Sequence, residues 1–340
     1  MGVPTMRMGL VGFTDERQLR NLLATRNRNL QWERWPFMEA DALWVNGAQV
    51  QPLRGSAVRV PAVDPGKPAT ILNLKELDRP IAFTLPITNG YFTPPLAFDP
   101  HRVDQVADVL NQFEAMLLDT AVELTLAAEL AARRRELASP AYHLSVQGRL
   151  VGIVSASGDV GLAQALSPYE LAHADWAGRP AAGGEIPGQF RRTTMAQVMW
   201  NYAMRHSEED LLPSRYRNGI FYWRRMPAVP QRWVHEEHLM LISVLSTGPQ
   251  TLASVMDATG LSEAAVAQAL AALYFGGSIT TDPRRAAPAR PVKPRSEEGW
   301  PSSMTSGFIP RVSAPPSRPV RRASSEMPTV PQPLEPPEDK

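Results

Sequence analysis

Residues 251–283 read TLASVMDATGLSEAAVAQALAALYFGGSITTDP, and the reading of this stretch decides the C-terminal half of the fold. A short helix is predicted from Leu252 to Thr259, then a turn at Gly260. A second helix runs from a Ser262 cap to Phe275, and Gly276-Gly277 break it before a strand at Ser278-Ile279-Thr280. Leu252, Val255, Met256, Leu261, Val266, Leu270 and Leu273 supply a core by their helical spacing. A second helix in this setting reads DNA only if it carries Arg, Lys, Asn or Gln to meet phosphates and base edges. Here it carries only Gln268. From Leu239 to Pro283 there is no Lys, Arg or His, and the charges are Asp257, Glu263 and Asp282. The apolar spacing leaves Glu263, Ala264, Ala267, Gln268 and Ala271 as the expected exposed positions. That small, nearly uncharged face suits close packing against another protein.

Upstream, residues 215–227 read RYRNGIFYWRRMP, where Arg215, Arg217, Arg224 and Arg225 interleave with Tyr216, Phe221, Tyr222 and Trp223. Aromatics beside cations are how single strands are held, so these four arginines, with Arg284 and Arg285 beyond the last strand, are the candidate nucleic-acid contacts. Half-buried aromatic strands whose guanidiniums pack over rings have the same pattern. His235-Glu236-Glu237-His238 lacks the spacing of a zinc hydrolase and reads as a surface polar patch, so no metal site is expected. Residues 139–235 read as a mixed α/β domain, with a hairpin at YHLSVQGRLVGIVS (142–155), a helix entering from SGDVGLAQALSPYELAHADW (157–176) and another at TMAQVMWNYAMR (194–205).

Before it lies the longest uninterrupted pattern in the chain. From Asp99-Pro100 to Leu137 no Gly or Pro intervenes, and Val103, Val106, Leu110, Phe113 and Leu117 follow the spacing of a coiled-coil seam. A long helix over 99–138 is expected, with the seam either pairing two chains as a homodimer or covering a sheet of its own domain. Residues 1–98 alternate strand and helix signals: MRMGLVGF (6–13), ERQLRNLLATR (16–26), LQWERW (30–35), DALWVNG (41–47), ATILNL (69–74) and PIAFTLP (80–86). Strands in alternation with helices predict a parallel-sheet α/β domain, while 47–69 looks like loop or hairpin.

Composition sets the limits. The chain has 340 residues, 44% hydrophobic and 20% charged, with a formal net charge of +1 that exerts no global pull on nucleic acid or anionic membrane. Zero cysteines exclude disulfides, thiol nucleophiles and Cys-ligated metals. No Walker loop, GxGxxG, GxSxG or paired-carboxylate signature is present, so neither a cofactor nor enzymatic activity is expected. MGVPTMRMGLVGFTDE lacks the apolar run of a signal peptide, and no stretch approaches a membrane span, which predicts a cytoplasmic location and no membrane partner. The final 57 residues, 284–340, hold 13 prolines, 10 Lys or Arg and 6 Asp or Glu, a composition that predicts a disordered Pro/Ser/Arg-rich tail.

Over residues 7–118 the pattern resembles a response-regulator receiver domain. Such domains place an acidic pair after the first strand, a phosphoacceptor Asp after the third, a Thr or Ser after the fourth and a Lys-Pro after the fifth. The matching positions here are Thr14 and Asp15, Asn46, and Leu85 before Pro86, so the resemblance implies a degenerate receiver without acceptor carboxylate or lysine. LMLISVLSTGPQTLASVMDATGLSEAAVAQALAALYFGGSIT (239–280) resembles the winged-helix modules of PatA-type bacterial signalling proteins. Together these predict an α/β plus α+β chain: receiver-like 1–98, long helix 99–138, middle domain 139–235, winged-helix-like module 236–283 and tail 284–340. The implied function is a non-enzymatic bacterial signalling or regulatory adaptor with protein partners. A DNA-binding transcription regulator using the winged helix and nearby arginines is the alternative.

Overall fold

The computed structural model describes residues 4–14, 30–64, 66–134, 136–206 and 211–288. The helix expected at 16–26 and the tail expected beyond 288 lie outside these residues.

Strands β1 (Thr5–Val11), β2 (Gln31–Trp35), β3 (Ala42–Asn46), β7 (Ile81–Thr84) and β8 (Ala97–Phe98) form a parallel sheet in the order β2-β1-β3-β7-β8. The strand period of two explains why β1 and β3 are apolar runs rather than alternations, since both faces are covered. Met6, Met8, Ala42, Trp44 and Ala82 point to the core under one face of the sheet, and Val11, Leu43, Val45 and Phe83 to a smaller apolar cluster under the other. The second face is covered by an antiparallel sheet of β4 (Gln51–Pro52), β5 (Ala57–Val60) and β6 (Thr70–Asn73), whose Val58, Val60 and Leu72 are buried against it.

Two expectations change here. ATILNL is not the fourth parallel strand but β6, which buries only Leu72 of its four residues and so needs a single covered face. PIAFTLP holds the fourth parallel strand rather than the fifth, and the fifth is the two-residue β8.

The long helix, α1 (Val103–Arg133), has 31 residues, a rod of about 46 Å at the standard rise. It starts three residues later than Pro100. Asp99 to Arg102 form a turn in which the Asp99 carboxylate accepts from the His101 amide at 2.9 Å and the Gln105 side chain accepts from the Asp99 amide at 2.7 Å. Val106, Leu110, Phe113 and Leu117 of the seam are buried on the parallel sheet, with Phe113 against Trp32 at 6.3 Å between centroids, while Val103 is 61% exposed. The seam thus covers its own sheet, and the homodimer expected from it loses its apolar surface. Further along the same helix Val122, Leu126, Ala127 and Leu130 enter a second core. One helix therefore serves both cores.

The second core is built on an antiparallel sheet, β12-β9-β10-β11-β13, of β9 (Ala141–Val146), β10 (Arg149–Ser155), β11 (Asp159–Leu162), β12 (Asp175–Arg179) and β13 (Arg191–Thr194). Gln147 and Gly148 turn the β9–β10 hairpin with φ of 50° and 78°, the two positive values that a tight two-residue turn requires. Helix α2 (Pro168–Ala172) starts in a capping box of Ser167 and Glu170, and α3 (Met195–Ala203) starts on the Thr194 hydroxyl. After α4 (Ser214–Arg217) and β14 (Tyr222–Trp223) come α5 (Glu236–Leu245), α6 (Leu252–Thr259), α7 (Glu263–Phe275) and β15 (Ile279–Thr280), which pairs antiparallel with β14. The core runs without a break from Leu144 and Val151 through Trp200 to Leu241, Val255 and Leu270. Among the described residues no helix is long and apolar enough to cross a membrane.

A buried polar clasp joins the two halves. Asp41 pairs with both terminal nitrogens of Arg205, one at 2.8 Å, and its carboxylate accepts from the Arg7 amide at 2.8 Å. The Arg7 guanidinium donates to the Arg205 carbonyl at 2.9 Å and lies 3.6 Å from the Trp35 ring centre. Burial and the neighbouring Arg205 push the Arg7 guanidinium down to about 10.

Candidate functional site

Three places hold the residues singled out by the sequence. The first is the carboxyl end of the parallel sheet, where open α/β sheets bind their ligands. Asn46 ends β3, and both ends of its amide are engaged: Nδ2 donates to the Gly12 carbonyl at 2.9 Å and Oδ1 accepts from the Ala48 amide at 3.1 Å. Thr84, buried at the end of β7, accepts from the Gly47 amide at 3.4 Å. Gly12 has a φ of 78°, and a Cβ there would stand 2.6 Å from the Val60 side chain, so the small antiparallel sheet lies hard against this turn. Thr14 is exposed, and Asp15 lies outside the described residues. Leu85, 44% exposed, follows the fourth parallel strand and not the fifth, so it does not occupy the lysine position assigned to it.

The second place is α7. Ala267 and Ala271 are 7% and 2% exposed, and Gln268 is half-buried with its Nε2 donating to the Ala203 carbonyl of α3 at 3.1 Å. Only Glu263 and Ala264 of the predicted face are exposed, and Glu263 pairs with Arg217 at 3.6 Å. The docking face expected on this helix is thus inside the molecule, packed on α3. The cause is in the sequence: a helix apolar on every side is a core helix, and one with a single polar residue past its first turn has no side to give to solvent.

The third place is a cleft of about 300 Å³ between α4, the carboxyl end of α7 and the β14–β15 ribbon. Arg215, Arg224 and Arg285 line it, together with Tyr216, Tyr274 and Asp282. Arg215 lies 5.3 Å from the Tyr216 ring centre and 5.9 Å from that of Tyr274, so its guanidinium is held over aromatic faces. Tyr216 is buried and donates to the Ile279 carbonyl at 3.4 Å, and burial pushes its hydroxyl above the usual range. The floor includes Gly277, with a φ of 72°, where a Cβ would stand 3.2 Å from the Arg225 guanidinium. Asp282 caps the turn at 283–285 by accepting from the Arg284 amide at 2.9 Å. Of the six candidate arginines, three therefore converge; Arg225 borders them, Arg217 pairs with Glu263, and Arg284 is exposed outside the cleft.

His238 is not part of a surface patch. It is fully buried, its ring centre 4.7 Å from that of Trp200 at a 32° tilt, with Nδ1 accepting from the His235 amide at 3.1 Å and Nε2 without a partner among the described residues. Burial, with His235 adding to it, pushes its imidazole down to about 4. Among the described residues no group of three His, Cys, Asp or Glu is placed to hold a metal ion. Comparison with protein-family models, with curated proteins and with solved structures finds no match for this chain.

Proposed function

We propose that this chain is a non-enzymatic regulatory adaptor of bacterial signalling, located in the cytoplasm, in which a receiver-like unit without phosphotransfer chemistry is coupled to a winged-helix-like unit. The observation that carries this reading is Asn46. It stands after the third parallel strand, where a receiver has its aspartate, and its amide is spent on the Gly12 carbonyl and the Ala48 amide. A neutral, doubly engaged amide is neither a nucleophile toward a phosphoryl group nor a strong ligand for magnesium. The strand order β2-β1-β3-β7-β8 is compatible with the receiver resemblance, although a small antiparallel sheet covers one face, and the succession of α5, α6, α7 and β15 is compatible with the winged-helix one. Coupling between the units has a physical carrier in α1, which gives one end to each core.

Duplex reading by α7 is disfavoured, since a helix buried at every position from Val266 to Leu273 except the half-buried Gln268 cannot enter a groove. Partner contact is accordingly assigned to surfaces other than the alanines of α7. The test is incubation of the full chain with acetyl phosphate and magnesium. No acid-labile phosphate is expected to be incorporated, and a stable aspartyl phosphate would overturn the reading.

A further inference from the structure

The arginine cleft brings three guanidiniums together around one concave space. Several guanidiniums elsewhere are neutralised: Arg205 by Asp41, Arg191 by Glu123 and Asp119, Arg133 by Glu129, Arg149 by Glu170, Arg217 by Glu263. Arg215, Arg224 and Arg285 line one small cleft and make no ion pair among the described residues. Its carboxylate, Asp282, is exposed and caps a backbone turn, so three cations face at most one anion. Arg215 is held over two tyrosine rings, which fixes its planar fork instead of leaving it free in solvent.

We infer that this cleft is a binding site for a small phosphate monoester of the mononucleotide class, its phosphate between Arg215, Arg224 and Arg285. Three guanidiniums suit a group that carries close to two negative charges and several acceptor oxygens, and Arg matches phosphate by paired hydrogen bonds. The tyrosine edges and Ile279 give the cleft an apolar wall as well, so an organic body has a place to lie. A volume of about 300 Å³ is the lower end of small-molecule sites and fits one nucleotide, not a strand. A polynucleotide would need a continuous track of cations, whereas Asp282 stands among the residues that line this cleft. The inference does not depend on the adaptor reading: it holds whether or not the N-terminal sheet accepts phosphate.

The test is calorimetric titration of the full chain with the four nucleoside 5′-monophosphates, alongside a single-stranded 20-residue oligonucleotide. Binding of at least one monophosphate is expected, weakened by about tenfold or more in Arg285→Ala and in Arg224→Ala, as for loss of a charge-assisted contact. Arg284→Ala removes the same charge one residue outside the cleft and is expected to bind as the wild type does. Arg284 and Arg285 are both exposed, so folding of these variants is checked by thermal unfolding alone. Absence of binding by all four monophosphates overturns the inference, as does equal weakening by Arg284→Ala and Arg285→Ala. So does tight, salt-sensitive binding of the oligonucleotide alone.

Discussion

Arg7 and Arg205 at the clasp and Arg215, Arg224 and Arg285 at the cleft illustrate two uses of the same side chain. The first pair is largely enclosed, with Asp41 on the Arg205 guanidinium and the Arg7 amide and with Glu39 3.8 Å from the Arg7 guanidinium, and it joins the parallel sheet to the end of α3. The second group is exposed or half-buried, makes no ion pair among the described residues and surrounds a cleft whose one carboxylate, Asp282, caps a turn. A buried guanidinium without its anion is costly, so the neutralised pair belongs to the fold. An exposed one is solvated and free to meet a ligand. The difference teaches that neutralisation, more than local density of arginine, separates structural cations from candidate binding cations.

The comparison is broken most severely at the clasp. Asp41→Ala leaves the Arg205 guanidinium, 14% exposed, without its carboxylate, while Arg7 keeps Glu39 at 3.8 Å, and the change is expected to cost about 3–5 kcal/mol of stability, read by urea denaturation. A loss under about 1 kcal/mol would mean that water already solvates this pair. The interior of α7 is tested next. Ala267→Glu places a carboxylate against α3 and is expected to cost several kcal/mol, with early loss of tertiary signal on heating. A fully stable Ala267→Glu protein would restore α7 as a surface helix.

A smaller effect is expected from pH. The buried His238 imidazole stays neutral to about 4, whereas in the unfolded chain it takes up a proton near its ordinary 6.5. Its contribution is whole above pH 6.5 and is lost as the pH falls toward 4, by about 3 kcal/mol across that window. Carboxylates titrate over the same range, so the quantity to read is the difference in slope between the wild type and His238→Asn, which keeps an acceptor near the His235 amide. Identical slopes would show that His238 is protonated inside the fold.

Much of this architecture is legible in the sequence, and what is not has definite causes. The apolar runs of β1 and β3, the length of α1 and the Gln147-Gly148 hairpin follow from period and turn chemistry. ATILNL misleads because a short apolar run does not say whether one face or two are covered, and that depends on what packs on it. The seam of α1 is read as apolar correctly, yet spacing alone cannot tell a partner helix from a sheet. For α7 the sequence carries the signal, since the helix has no polar side, and only the winged-helix layout suggests an exposed face. The cleft is legible as residue types only. Arg215 and Arg285 meet because β14 pairs with β15, a contact between distant segments that no local pattern encodes. The burial of His238 is likewise tertiary, set by Trp200 on another helix.

The distinction between structural and ligand-seeking arginines is tested most directly by urea denaturation of the wild type and Arg285→Ala, each with and without saturating nucleoside monophosphate. Without ligand the two midpoints are expected to agree within about 0.5 kcal/mol, as for an exposed side chain that holds nothing in place. With ligand the wild type is expected to gain stability through selective binding to the folded chain, by about 2.7 kcal/mol at a hundredfold excess over the dissociation constant, and Arg285→Ala to gain little. A variant already destabilised without ligand, or one stabilised as much as the wild type, would contradict the account.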